Sequence, residues 1–220
     1  MTTATPLSRK AIFITGAASG IGKATASLFV HKGWFVGLAG RDRAKLEDLS
    51  NRLGRTRSSV HIMDVTDFDS TQSALNEFAE HTQGRLDLLL NNAGILKAGH
   101  FEDIPLDDHH RIADTNFKGV LNCTHAAFPL LKVTPRSRVV NMSSASAMYG
   151  APSLATYSAS KFAVRALTEA LNVEWARHDI KVCDIMPPFV DTGMLDSDTR
   201  QRLKAIERLG VNLSAEDVAQ

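Results

Sequence analysis

Tyr157 and Lys161, in Tyr157-Ser-Ala-Ser-Lys161, stand four residues apart. On a helix that spacing puts both side chains on one face, one turn apart. A phenol titrates at about pH 10 in water and works as an acid or base near neutrality only where its anion is stabilised. An ammonium a few ångströms away supplies that stabilisation. The chemistry would be proton transfer to or from an oxygen. The same spacing also describes an ordinary surface pair, so the rest of the chain has to decide.

A second group of residues could hold an anion. Ala11-Ile-Phe-Ile-Thr15 is a short apolar run, followed at once by Gly16-Ala-Ala-Ser19-Gly20-Ile21-Gly22 and then by the helical pattern Lys23-Ala-Thr-Ala-Ser-Leu-Phe-Val30. Strand, glycine-rich turn and helix in that order are the context in which such glycines bind a dinucleotide. Gly16 makes the tight turn, Gly20 lets backbone N–H groups approach a pyrophosphate, and Gly22 allows helix and sheet to pack closely. Ser19 and Ile21 lie in the turn, and the helix N-terminus faces the anion. The spacing Gly-x-x-x-Gly-x-Gly differs from the commonest fingerprint, and an ordinary βα turn is the competing reading.

The elements that must position these groups alternate regularly. Strands are expected at 11–15, 35–39, 59–63, 86–90, 138–142 and 181–186. Helices are expected at 21–31, 43–53 (with Asp42 as N-cap), 70–81, 107–131 (bent near Asn116) and 156–177. That alternation predicts one α/β domain over residues 1–220, a doubly wound, Rossmann-like parallel sheet in three layers. Such sheets bind ligands beyond the carboxyl ends of their strands, at the switch in strand order. Gly16, Asn91, Ser144 and Pro187 each follow a strand, so the topology alone predicts that they converge.

Thr15-Gly-Ala-Ala-Ser-Gly-Ile-Gly22, Asn91-Asn-Ala-Gly94, Val139-Val-Asn-Met-Ser-Ser144 and Tyr157-x-x-x-Lys161 occur in this order. Together they resemble the short-chain dehydrogenase/reductase family, over about Lys10 to Thr192. The resemblance implies an NAD(P)-dependent oxidoreductase that moves a hydride between a nicotinamide cofactor and a small-molecule carbonyl or alcohol substrate. It assigns Tyr157 as general acid/base, Lys161 as its electrostatic partner and ribose ligand, Ser144 (not Ser143) as the donor to the substrate oxygen, and Asn116 as a helper near the lysine. Asn116 can equally be a polar residue satisfying backbone at a helix bend. The resemblance places Asp64 and Val65 against the adenine, and Asn91, Ala93 and Gly94 on the adenosine side. Pro187, Val190 and Thr192 fall near the nicotinamide. Pro188 stands where the family usually has glycine, which stiffens that loop. A nucleotide-binding regulatory protein of the same fold is the alternative, although the Ser-Tyr-Lys set is complete.

Cofactor choice rests on the end of the second strand, Phe35-Val-Gly-Leu-Ala-Gly40-Arg41. A carboxylate there suits the ribose 2′-hydroxyl and an arginine suits a 2′-phosphate. Gly40 replaces the family's aspartate and Arg41 follows, so NADP(H) is favoured over NAD(H). The competing view has Arg41 solvated and Asp42 reaching the ribose. Adjacency to the motifs places Ile95, Ala145, Tyr149, Phe189 and Met194, with Ser144, around a mainly apolar substrate pocket. Tyr149 can also be a packed loop residue. The family's substrate lid corresponds to Asp191–Leu213, which contains a helix-like run at 196–209.

Composition fits this class. The chain has 220 residues and a net charge of +1, so net charge implies no nucleic acid or other polyanionic partner. Met1–Lys10 lacks a signal-peptide pattern, and no run approaches the roughly 18 apolar residues of a membrane span. A cytoplasmic protein is expected. Cys123 and Cys183 read as buried, reduced thiols, and the histidines show no metal-ligand spacing, so no metal is expected. His109-His110 reads as a helix surface. Ser214 can N-cap a further helix, after which the family usually has a seventh strand, so a sheet without that final strand is expected. Pairing of the long helices 107–131 and 156–177 would allow a homo-oligomer.

Overall fold

The computed structural model describes residues 9–195, 197–203, 206 and 210–220. Six strands form one parallel sheet: β1 (Ala11–Thr15), β2 (Phe35–Gly40), β3 (Ser58–Ile62), β4 (Leu88–Asn91), β5 (Arg138–Met142) and β6 (Lys181–Ile185), in the order β3-β2-β1-β4-β5-β6. The order reverses between β1 and β4, and that switch point opens the crevice in which the glycine turn lies. The expected Rossmann-like fold is the one observed, with β6 at the edge of the sheet among the described residues.

Two apolar layers hold the sheet between helices, as alternation along each strand requires. On one side Ile12, Ile14, Val36 and Leu38 pack against α1 (Gly20–His31) and α2 (Arg43–Leu53), and Val218 of the short α8 (Ala215–Ala219) joins them. On the other side Phe13, Leu89, Val139 and Val182 meet α3 (Phe68–Thr82), α5 (Gly119–Val133) and the end of α6 (Ala155–Glu174). Phe13 and Phe78 are fully buried and meet edge to face at 5.2 Å. Each such ring contributes about 1.5–3 kcal/mol by burial. Gly37 makes room for them, since a Cβ there would lie 2.7 Å from both rings. Asp42 caps α2 by accepting from Lys45 N–H at 3.1 Å, as its position predicts.

The long helix expected at 107–131, bent near Asn116, is divided at that place. α4 (Leu106–Ala113) runs into a π-helical turn, Asp114–Lys118, before α5 begins, with Gly119 N–H reaching back to Asp114 C=O. The wide turn swings Asn116 inward, where it is fully buried. His109 is not on a helix surface. It is buried against the Phe101 ring at 4.4 Å, with Nε2 3.1 Å from Phe101 C=O and Nδ1 2.7 Å from Thr156 Oγ1. Cys123 is buried and its thiol is pushed up to about 12 by desolvation, whereas Cys183 on the edge strand is only half-buried. In the expected run 196–209, Ser197–Arg202 forms α7, while Asp196, Lys204, Ala205 and 207–209 lie outside the described residues. A separate two-stranded parallel ladder, β7 (Val190–Asp191) with β8 (Leu213–Ser214), ties the two ends of this segment together. Ser214 opens α8 with a capping box to Asp217.

Candidate active site

The end of β1 is stapled to the end of β4. Thr15 Oγ1 accepts from the N–H groups of Asn92 and Ala93, both at 3.0 Å, and Asn92 Nδ2 donates to the carbonyls of Thr15 at 2.9 Å and Gly16 at 3.2 Å. Gly16 takes a left-handed φ of +67°, and a Cβ there would sit 3.0 Å from Ala93 Cα. A Cβ on Gly22 would lie 2.5 Å from Gly16 C=O and 2.6 Å from Asn92 Nδ2. The turn is therefore a cradle that only hydrogen atoms fit. Ser19 begins α1 without a side-chain cap, so its hydroxyl does not compete for the first-turn N–H groups. Thr192 lies over Gly20, whose added Cβ would meet its Cγ2 at 3.3 Å. This chemistry fits a dinucleotide pyrophosphate.

Along the same crevice, α6 carries Tyr157 and Lys161 on the face expected from their spacing, with Lys161 Nζ 5.6 Å from the Tyr157 ring centroid. Lys161 is buried, donates to Met142 C=O at 2.7 Å, and is lowered to about 8 by desolvation. The Tyr157 phenol is raised above its ordinary value because burial outweighs the Ser144 hydroxyl bonded to it. This differs from the depressed phenol expected from a lysine one turn away. Tyr157 packs among Ala98, Leu154, Leu203 and Phe189, and this apolar wall disfavours the phenolate. Ser144 is nearly buried and accepts from Ser146 N–H at 3.2 Å, while Ser143, also on the cleft wall, turns its hydroxyl to Lys161 C=O at 3.4 Å. Asn116 Oδ1 accepts from Ile95 N–H at 2.8 Å, and its Nδ2 donates to Ile95 C=O at 2.9 Å and Ser160 Oγ at 3.1 Å. Gly94 brings both groups together: a Cβ there would lie 3.3 Å from Asn116 Oδ1 and 3.7 Å from Lys161 Nζ.

At the far end of the crevice Arg41 lies 3.8 Å from Asp64, with the arginine side chain 71% exposed. Asp64 also accepts from the N–H and hydroxyl of Thr66, both at 2.9 Å. Asp42 is engaged by the Lys45 backbone N–H and by its ammonium at 2.9 Å. Val65 points into the core, against Gly119. Asn91 likewise turns away from the cleft, donating to Thr124 Oγ1 at 2.9 Å and Asn141 Oδ1 at 2.8 Å beneath the strand ends. Its neighbour Asn92 is the one on the cleft wall. Opposite facing of adjacent residues at a strand end was the signal that would have found Asn92.

The cleft has a volume of about 820 Å³, within the usual range for a small-molecule site. Gly16, Ser19, Gly20, Ile21, Ala93 and Gly94 line one end. Ser144, Ala145, Tyr149, Tyr157, Lys161, Pro187, Phe189, Val190, Thr192 and Met194 line the rest. Gly22, Arg41, Asp64, Val65, Asn91, Ile95 and Asn116 are not on its wall. Ile95 is held beside it by Asn116. Sequence reading missed Leu96, Leu154, Leu195 and Leu203, which come from loops and from the segment after β7 and carry no motif. The described residues contain no cluster of histidine, cysteine and carboxylate side chains able to hold a metal, and no helix among them is long and apolar enough to cross a membrane.

Comparison with known proteins agrees with this architecture. The short chain dehydrogenase family profile matches residues 10–203. An uncharacterized oxidoreductase of Staphylococcus aureus is 35% identical over 190 residues, covering 86% of this chain and 82% of the relative. The oxidoreductase UcpA of Salmonella typhimurium is 38% identical over 198 residues, covering 89% and 74%. The crystal structure of a 3-ketoacyl-(acyl-carrier-protein) reductase from Brucella melitensis complexed with NADH superimposes with a TM-score of 0.86 at 28% identity, covering 96% of this chain and 87% of that one. With the glycine cradle, the strand order and the length of the match in agreement, the chain belongs to the short chain dehydrogenase family of oxidoreductases.

Proposed function

We propose that the protein is an NADP(H)-preferring oxidoreductase that interconverts a carbonyl and an alcohol, with Tyr157 as general acid/base. One observation carries this reading: Ser144, Tyr157 and Lys161 meet on the wall of the cleft whose other end is the glycine turn. A bound nicotinamide would supply or accept the hydride. The chain's own groups do the rest. First-turn N–H groups of α1 bind the pyrophosphate. Lys161, held on Met142 C=O, has two further N–H groups for a ribose and places positive charge beside the reacting oxygen. Ser144 donates to that oxygen as charge builds on it. Tyr157 gives it a proton in reduction and takes one back in oxidation. A phenol raised by burial is protonated at neutral pH, the state needed to donate to a developing alkoxide. Asn116 fixes the Gly94–Ile95 backbone that borders these groups. Leu195 and Leu203, on the segment after β7, form an apolar cover over the substrate end.

The direct test is a screen of ketones, aldehydes and alcohols with NADPH and NADP+, following absorbance of the reduced nicotinamide. Turnover of at least one apolar carbonyl is expected. Tight cofactor binding without turnover of any compound would sink the proposal in favour of a regulatory role.

Lys161 gives the reaction a pH signature. Its value near 8 means the ammonium is present below that pH and lost above it. The reductive kcat/KM is therefore expected to fall about tenfold per pH unit above 8, as for loss of one required proton. That limb should vanish in Lys161→Met. The unfolded chain holds this proton more tightly than the folded one. Stability therefore carries a penalty that is complete below pH 8 and fades toward 10.5.

Cofactor preference rests on Gly40 and Arg41. The Arg41–Asp64 pair is exposed and worth only about 0–1 kcal/mol, so little opposes Arg41 turning to a 2′-phosphate. A Cβ at Gly40 would meet only Leu46 Cδ1, at 3.7 Å, so a side chain fits there. Gly40→Asp is expected to move the preference toward NADH by about 10–100-fold, since a charge-assisted hydrogen bond is worth about 1.5–3 kcal/mol. Affinities for both reduced cofactors in the parent, Gly40→Asp and Arg41→Ala check this. Preference that ignores both substitutions would remove the assignment.

A further inference from the structure

A second cleft, of about 840 Å³, lies at the opposite end of the sheet, where the strands begin. It shares no residue with the catalytic cleft. Lys10 precedes β1 and Gly16 follows it, and five extended residues separate the two ends by about 16 Å. We propose that this cleft is an anion-binding site for a soluble phosphorylated small molecule with an apolar portion.

The charges support this. Lys10, Arg85, Arg136 and Arg138 line the cleft, with Asp87 as its one carboxylate. Asp87 is already fully used: its Oδ2 accepts from Ala11 N–H at 2.8 Å and Arg85 Nε at 2.7 Å, and its Oδ1 from a second Arg85 nitrogen at 2.8 Å. That pair ties β1 to β4 and is internally neutral. Lys10, Arg136 and Arg138 then have no carboxylate within ion-pair distance among the described residues. The cations could simply be complementing the carboxyl ends of α1, α3 and α5, which also point here. Three helix ends amount to about −1.5 charges and Asp179, on the Arg136 amide, adds one more, against three cations without an ion pair, so the cleft stays weakly positive.

The backbone gives an independent reason. Arg136 adopts φ +55°, a left-handed conformation uncommon outside glycine. It is fixed by its N–H donating to Asp179 Oδ2 at 3.1 Å, and Asp179 is itself at φ +58°. Costly conformations of this kind persist where the surroundings enforce them, often at ligand clamps. The floor is apolar: Phe29 and Trp34 meet edge to face at 4.9 Å, with Lys10 Nζ 5.4 Å from the indole centroid. A phosphate on the arginines would draw Lys10 off the indole face and leave the apolar part of its carrier beside Phe29 and Trp34.

Titration calorimetry with inorganic pyrophosphate and with phenyl phosphate tests this in the full chain. Arg136→Gly suits the left-handed backbone, and Arg138→Gln keeps an exposed polar residue at the start of β5. Binding of both probes is expected, weakened at least tenfold in the double variant. Gly22→Ala, which disturbs the pyrophosphate cradle of the catalytic cleft, should leave both affinities unchanged. Phenyl phosphate binding should also alter the fluorescence of Trp34 in a Trp175→Phe background. Absence of binding, or binding indifferent to the double variant, would overturn the site. Binding to phosphatidylglycerol vesicles with none to either soluble probe would overturn it too, because the anion would then belong to a membrane.

Discussion

Tyr157→Phe is expected to lower kcat by about 10²–10⁴-fold, the usual contribution of a positioned general acid, while cofactor affinity stays within a few-fold of the parent. The two readouts separate because the ring and the hydroxyl have different tasks. The ring packs with Ala98, Leu154, Leu203 and Phe189, and phenylalanine keeps that packing. The hydroxyl meets Ser144, and losing one such neutral hydrogen bond costs stability only about 1 kcal/mol. Lys161 keeps its bond to Met142 C=O either way, so its ammonium remains available to a ribose. Steady-state kinetics beside a cofactor titration would show the split. If the variant retained a tenth or more of parental kcat, proton transfer would have to be assigned to another group. The pH profile adds a check: the limb near 8 belongs to Lys161 and should persist in whatever activity remains.

What the chain reveals without coordinates follows from how local each signal is. β1 begins and ends where its apolar run does, because a buried parallel strand needs a continuous apolar segment and the glycine turn closes it. Asp42 as a cap is equally local, a side chain bonding to an amide three residues on. The π-helical turn at Asp114–Lys118 is not local. It inserts one residue into a helix of unremarkable composition, and what stabilises it is Asn116 bonding to Ile95, 21 residues away. His109 reads as a surface residue for the same reason, since the partners that bury it, Phe101 and Thr156, come from other elements. In the site, residue types and their order were readable, but environment was not. Nothing in Tyr157-Ser-Ala-Ser-Lys161 shows that an apolar wall raises the phenol and that desolvation lowers the lysine. The phenol's shift arises among Leu154, Phe189 and Leu203, and the lysine's from its own burial, neither of which motifs encode.

The glycine cradle gives the second large effect. Gly22→Ala would place a methyl 2.5 Å from Gly16 C=O and 2.6 Å from Asn92 Nδ2. Neither neighbour can yield cheaply. The Gly16 carbonyl is backbone in a left-handed turn, and Asn92 Nδ2 is held by bonds to both Thr15 and Gly16. Relief requires α1 to lift from the sheet or the turn to open, and overpacking of this kind costs about 1–3 kcal/mol. Either movement shifts the first-turn N–H groups that face the pyrophosphate. NADPH affinity is therefore expected to fall about 5–150-fold, with a lower urea midpoint where the strain also reaches the fold. Gly40→Ala is the matched control, because its methyl would meet only Leu46 at 3.7 Å and should change neither quantity much. Parental affinity and midpoint in Gly22→Ala would show that the turn relaxes freely, and the close fit between α1 and the turn would then play no part in holding the cofactor.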